Sequence, residues 1–450
     1  MMEPYELTAT QASALIAARK LSCEELARST LDRILARDPE VRAWSWFDAD
    51  TIIRNARELD KTPPRSPLHG LTFGVKDVID TADMPTQHNS PIHVNHRPGQ
   101  DAACVAVVRH SGSLIVGKTD TVEFASGGRR AVTRNPHNPA HTPGGSSSGS
   151  GAAVGDSQVQ LAFGTQTGGS HIRPAAFNGI YGIKPTHGIV SREGAKMYSH
   201  TLDTIGWYGR SVEDLQLVGS AFRLPASGGH PGAGTVEPAS VKGLRVGLCR
   251  TPVWQAADAY GRAALMEAAR RLEAAGAIVR ELTLPAEFDG MDAAQQTVMR
   301  GEGRAAFLPA YLGSHHLLHE DFREMVENAR GISPAQLVQA YDLAAACRRL
   351  FDGLFGADLD VVLTPPSPGE APQDLQDTGN PAFNAMWTLL HVPCVAIPVG
   401  KSARGLPLGI QLVGPRFADS RLLAIAAACA PVIHENGMLG EIEVDEAMAA

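Results

Sequence analysis

Strand-like apolar runs alternate with helical segments along most of the chain, and this alternation limits the fold more than any other feature. "LTFGVKDVID" (71–80) and "GSLIVGKT" (112–119) are typical of strands, and "AACVAVVRHSG" (102–112) between them is typical of a helix. The pattern returns in the second half, where "GLRVGLC" (243–249) and "AIVRELTLP" (277–285) flank another helical stretch. Strands separated by helices favour a mostly parallel sheet. The sequence therefore predicts the α/β class.

Two other segments bear on the organisation of the chain. Residues 224–240, "LPASGGHPGAGTVEPAS", are rich in Gly, Pro and Ala, which is typical of a linker. We interpret this segment as a surface loop rather than a full domain boundary. Residues 291–355 have a mainly helical pattern.

Charge and composition exclude several classes of protein. The chain has 40 basic and 48 acidic residues, a formal charge of −8 and no basic tract, so we expect no nucleic-acid partner. A content of 20% charged and 44% hydrophobic residues indicates a globular protein. The N-terminal "MMEPYELTATQASALIAARK" lacks the basic flank and sustained apolar core of a secretion signal or a membrane span. We expect a cytoplasmic protein, without membrane contact, that acts on a small, uncharged substrate.

Lys76 is the first candidate for chemistry because it lies inside an apolar strand. In "LTFGVKDVID" the alternation places it on the face opposite Phe73 and Val75. Such a lysine is either solvated at a sheet edge or buried for a reason. Burial lowers the pKa of a lysine, and a neutral amine can act as a general base. The pattern alone leaves both interpretations open.

Two loops rich in Ser and Gly follow, "GGSSSGSGAA" (144–153) and "GTQTGGSHIRP" (164–174). Glycine lets backbone N–H groups converge on one point, as an oxyanion hole or a bound phosphate requires. The chain lacks G-x-x-x-x-G-K-[ST], and "GGSSSG" does not fit G-x-G-x-x-G, which argues against nucleotide binding. Either loop alone also fits a flexible turn. Ser170 could thus be a turn residue or a nucleophile.

Taken together, Lys76, "GGSSSGSGAAV" and "GTQTGGS" resemble the amidase signature family, whose pattern is G-G-S-S-G-G-S-x-A-x-V followed by G-x-D/Q-x-G-G-S. Further segments resemble the family over nearly the whole chain: "GKTDTVEFASGG", "TRNPHNPAHTPGGSSSGS", "IYGIKPTHGIVSREG", "LDTIGWYGRSVEDL", "VPCVAIPVG" and "GLPLGIQLVGP". The resemblance implies one large α/β/α domain over residues 1–450, with a twisted mixed sheet surrounded by helices. Its expected parts are a helical segment (1–70), a core with the catalytic residues (71–220) and a second α/β part (241–450), in which region 291–355 varies with the substrate.

The resemblance also implies roles for single residues. Ser170 would be the nucleophile, Lys76 the base, and Ser146 the bridge between them, which in the family follows a cis peptide bond. The oxyanion would bind the backbone N–H groups of Thr167, Gly168, Gly169 and Ser170. An acyl-enzyme on Ser170 would then be hydrolysed by water, without a metal or a cofactor.

This chain departs from the family pattern at two positions. Gln166 stands where many members have Asp, and Arg173 lies one place further along than in G-G-S-[IV]-R-[IV]-P. His171 is a poor candidate for the base because adjacent residues generally point apart, so we expect a pocket-lining or structural histidine. Metal binding is not expected, because the six cysteines form no C-x-x-C pair and the histidine clusters lack further ligands nearby.

The substrate pocket is expected at large side chains near the matched motifs: Met197, Tyr198, Trp387 and His171. An ordinary place in the core is the alternative for each of them. The implied function is hydrolysis of a carboxamide or related C–N bond in an amide, anilide, ureide or carbamate. The alternative is the glutaminase A subunit of a tRNA-dependent amidotransferase, which is bound to partner chains. A homodimer is compatible with either, and a non-catalytic binding protein is disfavoured because Lys76, Ser146 and Ser170 are all present.

Overall fold

A computed structural model describes residues 2–225, 240–434 and 440–444, so most of the linker-like segment 224–240 lies outside the described residues. The first half contains α1 (Ala9–Ala17), α2 (Cys23–Val41), β1 (Trp44–Phe47), α3 (Ala49–Asp60), β2 (Thr72–Lys76), α4 (Ala103–His110), β3 (Leu114–Thr119), α5 (Ser148–Gly155), β4 (Leu161–Gln166), α6 (Ile172–Asn178), β5 (Tyr181–Lys184), β6 (Thr204–Gly209) and α7 (Val212–Ala221). The second half contains β7 (Arg245–Leu248), α8 (Ala259–Ala274), β8 (Ile278–Glu281), α9 (Met291–Ser314), α10 (Glu320–Val326), α11 (Pro334–Asp352), β9 (Val361–Thr364), α12 (Ala382–Leu389), β10 (Cys394–Lys401), β11 (Pro407–Val413) and α13 (Asp419–Ile433).

The strands within the described residues form one mixed sheet in the order β1-β3-β2-β4-β6-β5-β10-β11-β9-β7-β8. Parallel pairs join β2 to β3 and β4, and β7 to β8 and β9, while the other neighbours are antiparallel. Helices pack on this sheet, among them α5 on β4, α6 on β10 and β11, and α13 on β10. The predicted α/β class with a mixed, helix-covered sheet is confirmed. The mostly parallel sheet that the alternation favoured is wrong, because six of the ten pairs of neighbouring strands in the described sheet are antiparallel.

The two α/β parts predicted on either side of the linker belong to the same sheet. Strand β5 of the first part pairs with β10 of the second, at Ile183 opposite Val395. The side chains of both strands are buried over most of their length, so the junction lies inside the hydrophobic core. The division into 1–70, 71–220 and 241–450 stays a prediction.

Strand β2 explains how a lysine comes to lie inside the protein. All five of its residues are buried, with β3 on one side and β4 on the other. Phe73 packs against Phe163 of β4, with ring centroids 4.5 Å apart. Lys76 ends this strand and has 0% exposure, so the interpretation as a solvated edge lysine is wrong.

Candidate active site

The topology of the sheet brings the predicted catalytic residues to one place. Strands β2 and β4 are parallel neighbours, so their carboxyl ends lie at the same edge of the sheet. Lys76 ends β2, and the loop with Ser170 follows directly after β4. Ser146 lies in the loop that leads into α5, a helix that packs on both β2 and β4. Lys76 contacts Ser146, and Ser146 and Ser170 line the same cavity.

The amine of Lys76 is surrounded by three hydroxyl groups. Its Nζ lies 2.7 Å from Oγ of Ser146, 2.9 Å from Oγ of Ser147 and 2.7 Å from Oγ1 of Thr165. Burial lowers the pKa of Lys76 well below its ordinary value, and the charge of Asp203 opposes this only in part. A neutral amine donates two hydrogen bonds and accepts one, so it can accept a proton from one of these hydroxyl groups.

The loop before α5 holds Ser146 through its backbone. The peptide bond between Gly145 and Ser146 is cis. The carbonyl oxygen of Ser146 accepts hydrogen bonds from Oγ1 of Thr121 at 3.0 Å and the N–H of Val122 at 3.3 Å. The guanidinium of Arg173 donates to the carbonyl oxygen of Gly145 at 2.6 Å. Contacts on both sides of the cis bond therefore fix the serine beside Lys76.

Ser147 links Lys76 to the loop that carries Ser170. Its hydroxyl donates to the carbonyl oxygen of Ser170 at 2.6 Å and accepts from the backbone N–H of Thr165 at 3.1 Å. Its own N–H donates to the same Ser170 carbonyl at 3.3 Å. The position of Ser170 relative to Lys76 is thus set by one buried serine between them.

The loop from Thr167 to Ser170 is held by its carbonyl oxygens. Gln295 donates to the carbonyl of Thr167 at 2.9 Å, and Thr388 donates to that of Gly168 at 2.7 Å. In a trans peptide the N–H points away from the C=O, so the N–H groups of Gly168 and Gly169 face away from Gln295 and Thr388. Within the described residues, the N–H groups of Gly168, Gly169 and Ser170 donate to no other group. They are free to bind an oxyanion.

Gly169 lies in a place where a larger residue does not fit. A Cβ atom there would lie 2.9 Å from Nη1 of Arg173, 3.0 Å from Nδ2 of Asn384 and 3.1 Å from Cα of Pro381. At Gly168 the nearest atom would be 3.6 Å away, which is ordinary contact. Close packing around Gly169 therefore keeps the loop backbone next to the buried guanidinium.

The carboxylate of Asp203 supports the other end of this loop. It accepts from Oγ1 of Thr167 at 2.6 Å and from the N–H groups of Tyr198 and Ser199 at 2.7 and 3.0 Å. Burial raises the pKa of Asp203, while these hydrogen bonds to Thr167, Ser199 and Tyr198 oppose the rise. Asp203 precedes β6, which lies antiparallel to β4, so it meets the residue that follows β4.

Gln166 and His171 both have structural positions. The side-chain oxygen of Gln166 accepts from the N–H groups of His171 and Ile172 at 3.0 and 2.9 Å, and its amide donates to Thr388 at 3.0 Å. The ring of His171 is buried and stacks on Tyr208 with centroids 3.9 Å apart. Burial lowers the pKa of His171 to about 3. Its ring lies in the core and not on the cavity wall.

A cavity of about 330 Å³ opens over Ser146 and Ser170. Tyr198 lines it, whereas Met197 lines only a small adjoining cavity of about 10 Å³. Trp387 has 0% exposure and packs against Phe351 in the core, with ring centroids 5.4 Å apart. Of the four predicted pocket residues, the structure thus brings Tyr198 to the main cavity and leaves His171 and Trp387 in the core.

The helical region 291–355 supplies part of the cavity wall. Met299 and Arg300 of α9 and Met325 of α10 line it, together with the segment 378–381 from the other side. A larger cavity of about 820 Å³ lies against α8 and β8, and none of the predicted catalytic residues lines it. We therefore place the candidate site in the smaller cavity.

Sequence reasoning missed three residues of the site. Ser147 and Thr165 contact Lys76, and Asp203 contacts Thr167 in the loop that carries Ser170. Ser147 follows Ser146 directly in "GGSSSGS", and this adjacency was the one sequence feature that could have indicated its place in the site. Thr165 is one of two polar residues, with Gln166, at the end of the otherwise apolar strand β4. Asp203 gives no such signal, because its role depends on the antiparallel pairing of β4 and β6.

Three general features of the described residues bear on the kind of protein and site. No helix among them is both long enough and apolar enough to cross a bilayer. They contain no group of three or more His, Cys, Asp or Glu side chains arranged to hold a metal ion. All six cysteines are buried and unpaired.

Comparison with known proteins identifies the family. The family model described as Amidase matches residues 25–423, and the chain belongs to this family. The glutamyl-tRNA(Gln) amidotransferase A subunit of Symbiobacterium thermophilum is 33% identical over 469 residues, covering 94% of this chain and 96% of that protein.

Two solved structures show the same fold. The native peptide amidase of Stenotrophomonas maltophilia is 29% identical and has a TM-score of 0.78, covering 95% of this chain and 97% of its own. A chain from a vestigial protein complex, described as revealing the evolutionary origins of an s-triazine catabolic enzyme, is 25% identical with a TM-score of 0.83. That match covers 97% of this chain and 100% of the other. The protein is thus an amide-hydrolysing enzyme of the amidase family.

Proposed function

We propose that the chain hydrolyses a carboxamide or related C–N bond, in an amide, anilide, ureide or carbamate, through an acyl-enzyme on Ser170. One observation carries the proposal: the buried amine of Lys76 lies 2.7 Å from Oγ of Ser146, and Ser146 shares a cavity with Ser170. A base with a lowered pKa next to a hydroxyl is the arrangement that activates a serine nucleophile.

The proposed reaction begins with a proton relay. Neutral Lys76 takes the proton of Ser146 while Ser146 takes that of Ser170, and Oγ of Ser170 attacks the carbonyl carbon. The developing oxyanion is bound by the backbone N–H groups of Thr167, Gly168, Gly169 and Ser170. Loss of one such donor typically costs about 3 kcal/mol of transition-state stabilisation. The relay then returns the proton to the leaving amine, and the C–N bond breaks.

Deacylation uses the same groups in the opposite direction. Water enters the cavity and gives a proton to Ser146 and Lys76 as its oxygen attacks the acyl carbon. The second tetrahedral species collapses to the acid, and Ser170 regains its proton. The proposed cycle uses Lys76, which is buried behind Ser146, and groups that line the cavity.

A second candidate is the A subunit of a tRNA-dependent amidotransferase, which uses glutamine as its amide. The names of the curated relatives, such as the Symbiobacterium thermophilum protein, favour this candidate over a stand-alone enzyme. The peptide amidase of similar fold supports the stand-alone alternative. Gln166 and the "SHIRP" sequence after it also depart from the loop pattern of many family members.

The first test uses a small fluorophosphonate, which labels an activated serine without requiring the natural substrate. We expect a single adduct on Ser170 by intact mass and peptide mapping, and a greatly slowed reaction in Lys76→Ala. Folded protein that gives no adduct on Ser170 would contradict the mechanism. Ammonia release from glutamine and co-purification with two other chains from the native host would select the amidotransferase candidate.

The proposal includes a cytoplasmic location and a small-molecule substrate. Light scattering coupled to size-exclusion chromatography would measure the oligomeric state. It distinguishes a monomer, a homodimer and an assembly with other chains by their molar mass. Cell fractionation with an antibody to the chain checks the location.

A further inference from the structure

The buried guanidinium of Arg173, next to the candidate nucleophile, forms no salt bridge with any carboxylate of the described residues. Arg173 is 3% exposed, and its hydrogen bonds go to the carbonyl oxygens of Gly145 and Thr378, at 2.6 and 2.7 Å, and to Oγ1 of Thr378 at 3.4 Å. Buried charges in proteins are normally paired, because an unpaired charge away from water is costly.

One nitrogen of this group has no hydrogen-bond partner in the part of the chain that the structure describes. Nη1 of Arg173 is buried and makes no hydrogen bond to any described residue. It lies against Gly169, since a Cβ atom on that glycine would be only 2.9 Å from it. Arg173 and Gly169 both line the cavity over Ser170. The unpartnered donor therefore lies one residue from the nucleophile, at the wall that a substrate contacts.

The other charges of the cavity do not neutralise Arg173. Arg300 and Arg330 also line it, as do the exposed carboxylates of Asp321 and Glu324. The oxygen Oδ2 of Asp321 already accepts from the N–H of Gly128 at 2.7 Å. Nε of Arg300 is a second buried donor without a partner among the described residues.

Asp377, whose charge favours the protonated form of Arg173, is exposed and lies outside the cavity wall. Its Oδ1 accepts from the N–H of Gly379 at 2.8 Å. The cavity thus offers a buried positive charge without an acid of its own to pair with it.

We propose that Arg173 binds a carboxylate of the substrate, so that the enzyme acts on small amides that carry a carboxylate a few bonds from the carbonyl that Ser170 attacks. This inference rests on the proposed function, and it replaces the uncharged substrate expected from composition. The short distance follows from the position of Nη1 beside Gly169, since adjacent Cα atoms are only about 3.8 Å apart. A guanidinium suits this task because its planar donors match the two oxygens of a carboxylate.

The test compares amides that differ only in the charged group. Succinamate and butyramide form one pair, glutaramate and valeramide a second, and released ammonia is measured for each. We expect kcat/KM to be about 10- to 100-fold higher for the charged member, as a hydrogen-bonded charged group contributes. In Arg173→Gln this preference should disappear, while in Arg173→Lys part of it should remain. Equal rates for the two members of each pair in the native enzyme would overturn the inference.

Fluorophosphonate labelling separates substrate binding from support of the loop. A neutral probe needs no carboxylate partner, but Arg173 also holds the carbonyl oxygen of Gly145. In Arg173→Gln the labelling rate of Ser170 should therefore fall by a smaller factor than kcat/KM for succinamate. A loss in labelling as large as the loss on succinamate would show that Arg173 only braces the Gly145–Ser146 loop. A selective loss in Arg300→Gln instead of Arg173→Gln would assign the carboxylate to Arg300.

Binding measured without turnover keeps this inference distinct from the proposed mechanism. In Ser170→Ala, calorimetry should detect succinamate or glutaramate but not butyramide, and the added Arg173→Gln change should abolish that signal. Binding without labelling in the native enzyme would sink the mechanism and leave the carboxylate site intact. Labelling without preferential binding of the charged amides would do the reverse. Glutamine preferred strongly over glutaramate, which lacks only its amino group, would identify glutamine as the substrate.

Discussion

Replacing Lys76 by Met tests the centre of the proposed mechanism. Methionine has nearly the length of lysine but cannot accept a proton, so the hydroxyls of Ser146, Ser147 and Thr165 lose a partner at 2.7 to 2.9 Å. General-base catalysis contributes about 10²- to 10⁴-fold. Within the described residues, Lys76 is the only side chain that hydrogen-bonds to Oγ of Ser146, so no second base can replace it. We expect kcat/KM for an active amide to fall by about 10³-fold or more.

The pH dependence gives the same prediction a second observable. Lys76 acts as a base only when neutral, and burial lowers its pKa from the ordinary value of about 10.4. In the native enzyme kcat/KM should therefore rise with pH through the lowered pKa and then level off. The residual activity of Lys76→Met should lack this rise. A flat native profile from pH 6 to 10 would contradict a lysine base.

The assay is the rate of fluorophosphonate labelling of Ser170, followed by intact mass, with ammonia release as the second readout. Lys184→Met is the matched control, because Lys184 is also fully buried but donates to the carbonyl oxygens of Val392 and Pro185 at 2.6 and 3.0 Å. It should destabilise the fold by about 1–3 kcal/mol and leave the labelling rate of folded protein unchanged. Labelling of Lys76→Met at the native rate would refute the relay.

Three further variants test single parts of the site. Ser170→Ala should abolish both labelling and turnover without lowering the melting temperature, because the side chain is half-buried at the cavity wall. Gly169→Ala should lower both activity and melting temperature more than Gly168→Ala, since only the former forces a Cβ to within 2.9 Å of Arg173, and equal effects would contradict the packing argument. His171→Ala should cost about 2–4 kcal/mol in urea unfolding by opening a space beside Tyr208. It should nevertheless keep substantial turnover, and complete inactivity of folded protein would make His171 a catalytic residue after all.

The roles of Lys76, Ser146 and Ser170 were expected from the family motifs that contain them, because the local patterns alone also allowed a solvated lysine and a serine in a flexible turn. The sheet then brings these motifs together by a rule that holds for any parallel pair of strands. The order of the strands on either side was not predictable from the motifs. The contact between Thr167 and Asp203, for example, needs β6 to lie antiparallel to β4.

The residues that form the walls of the cavity were harder to predict than Ser146 and Ser170. Trp387 lies in α12, where every residue from Phe383 to Leu389 is buried. The polar Asn384 and Thr388, one turn apart on this helix, meet the loop with Ser170, whereas Trp387 packs into the core. Met299 and Arg300 reach the cavity only because α9 packs over it, which is a tertiary arrangement that local patterns do not encode. The uncharged substrate was inferred from the charge of the whole chain, whereas binding depends on the few charges at the site.

The partners of the buried lysines indicate why only one of them suits a base. Nζ of Lys118 lies 2.5 Å from the carbonyl of Ile79, 2.6 Å from Oγ1 of Thr86 and 3.6 Å from Oδ1 of Asp77. Within the described residues, Lys184 donates to carbonyl oxygens alone. Carbonyl and carboxylate oxygens can only accept hydrogen bonds, so they have no proton to give to a neutral amine. Hydroxyl groups can also donate, and all three hydrogen-bonding partners of Lys76 are hydroxyls. Among these three lysines, Lys76 alone has only partners from which a neutral amine can receive a proton, and one of them lines the cavity with Ser170.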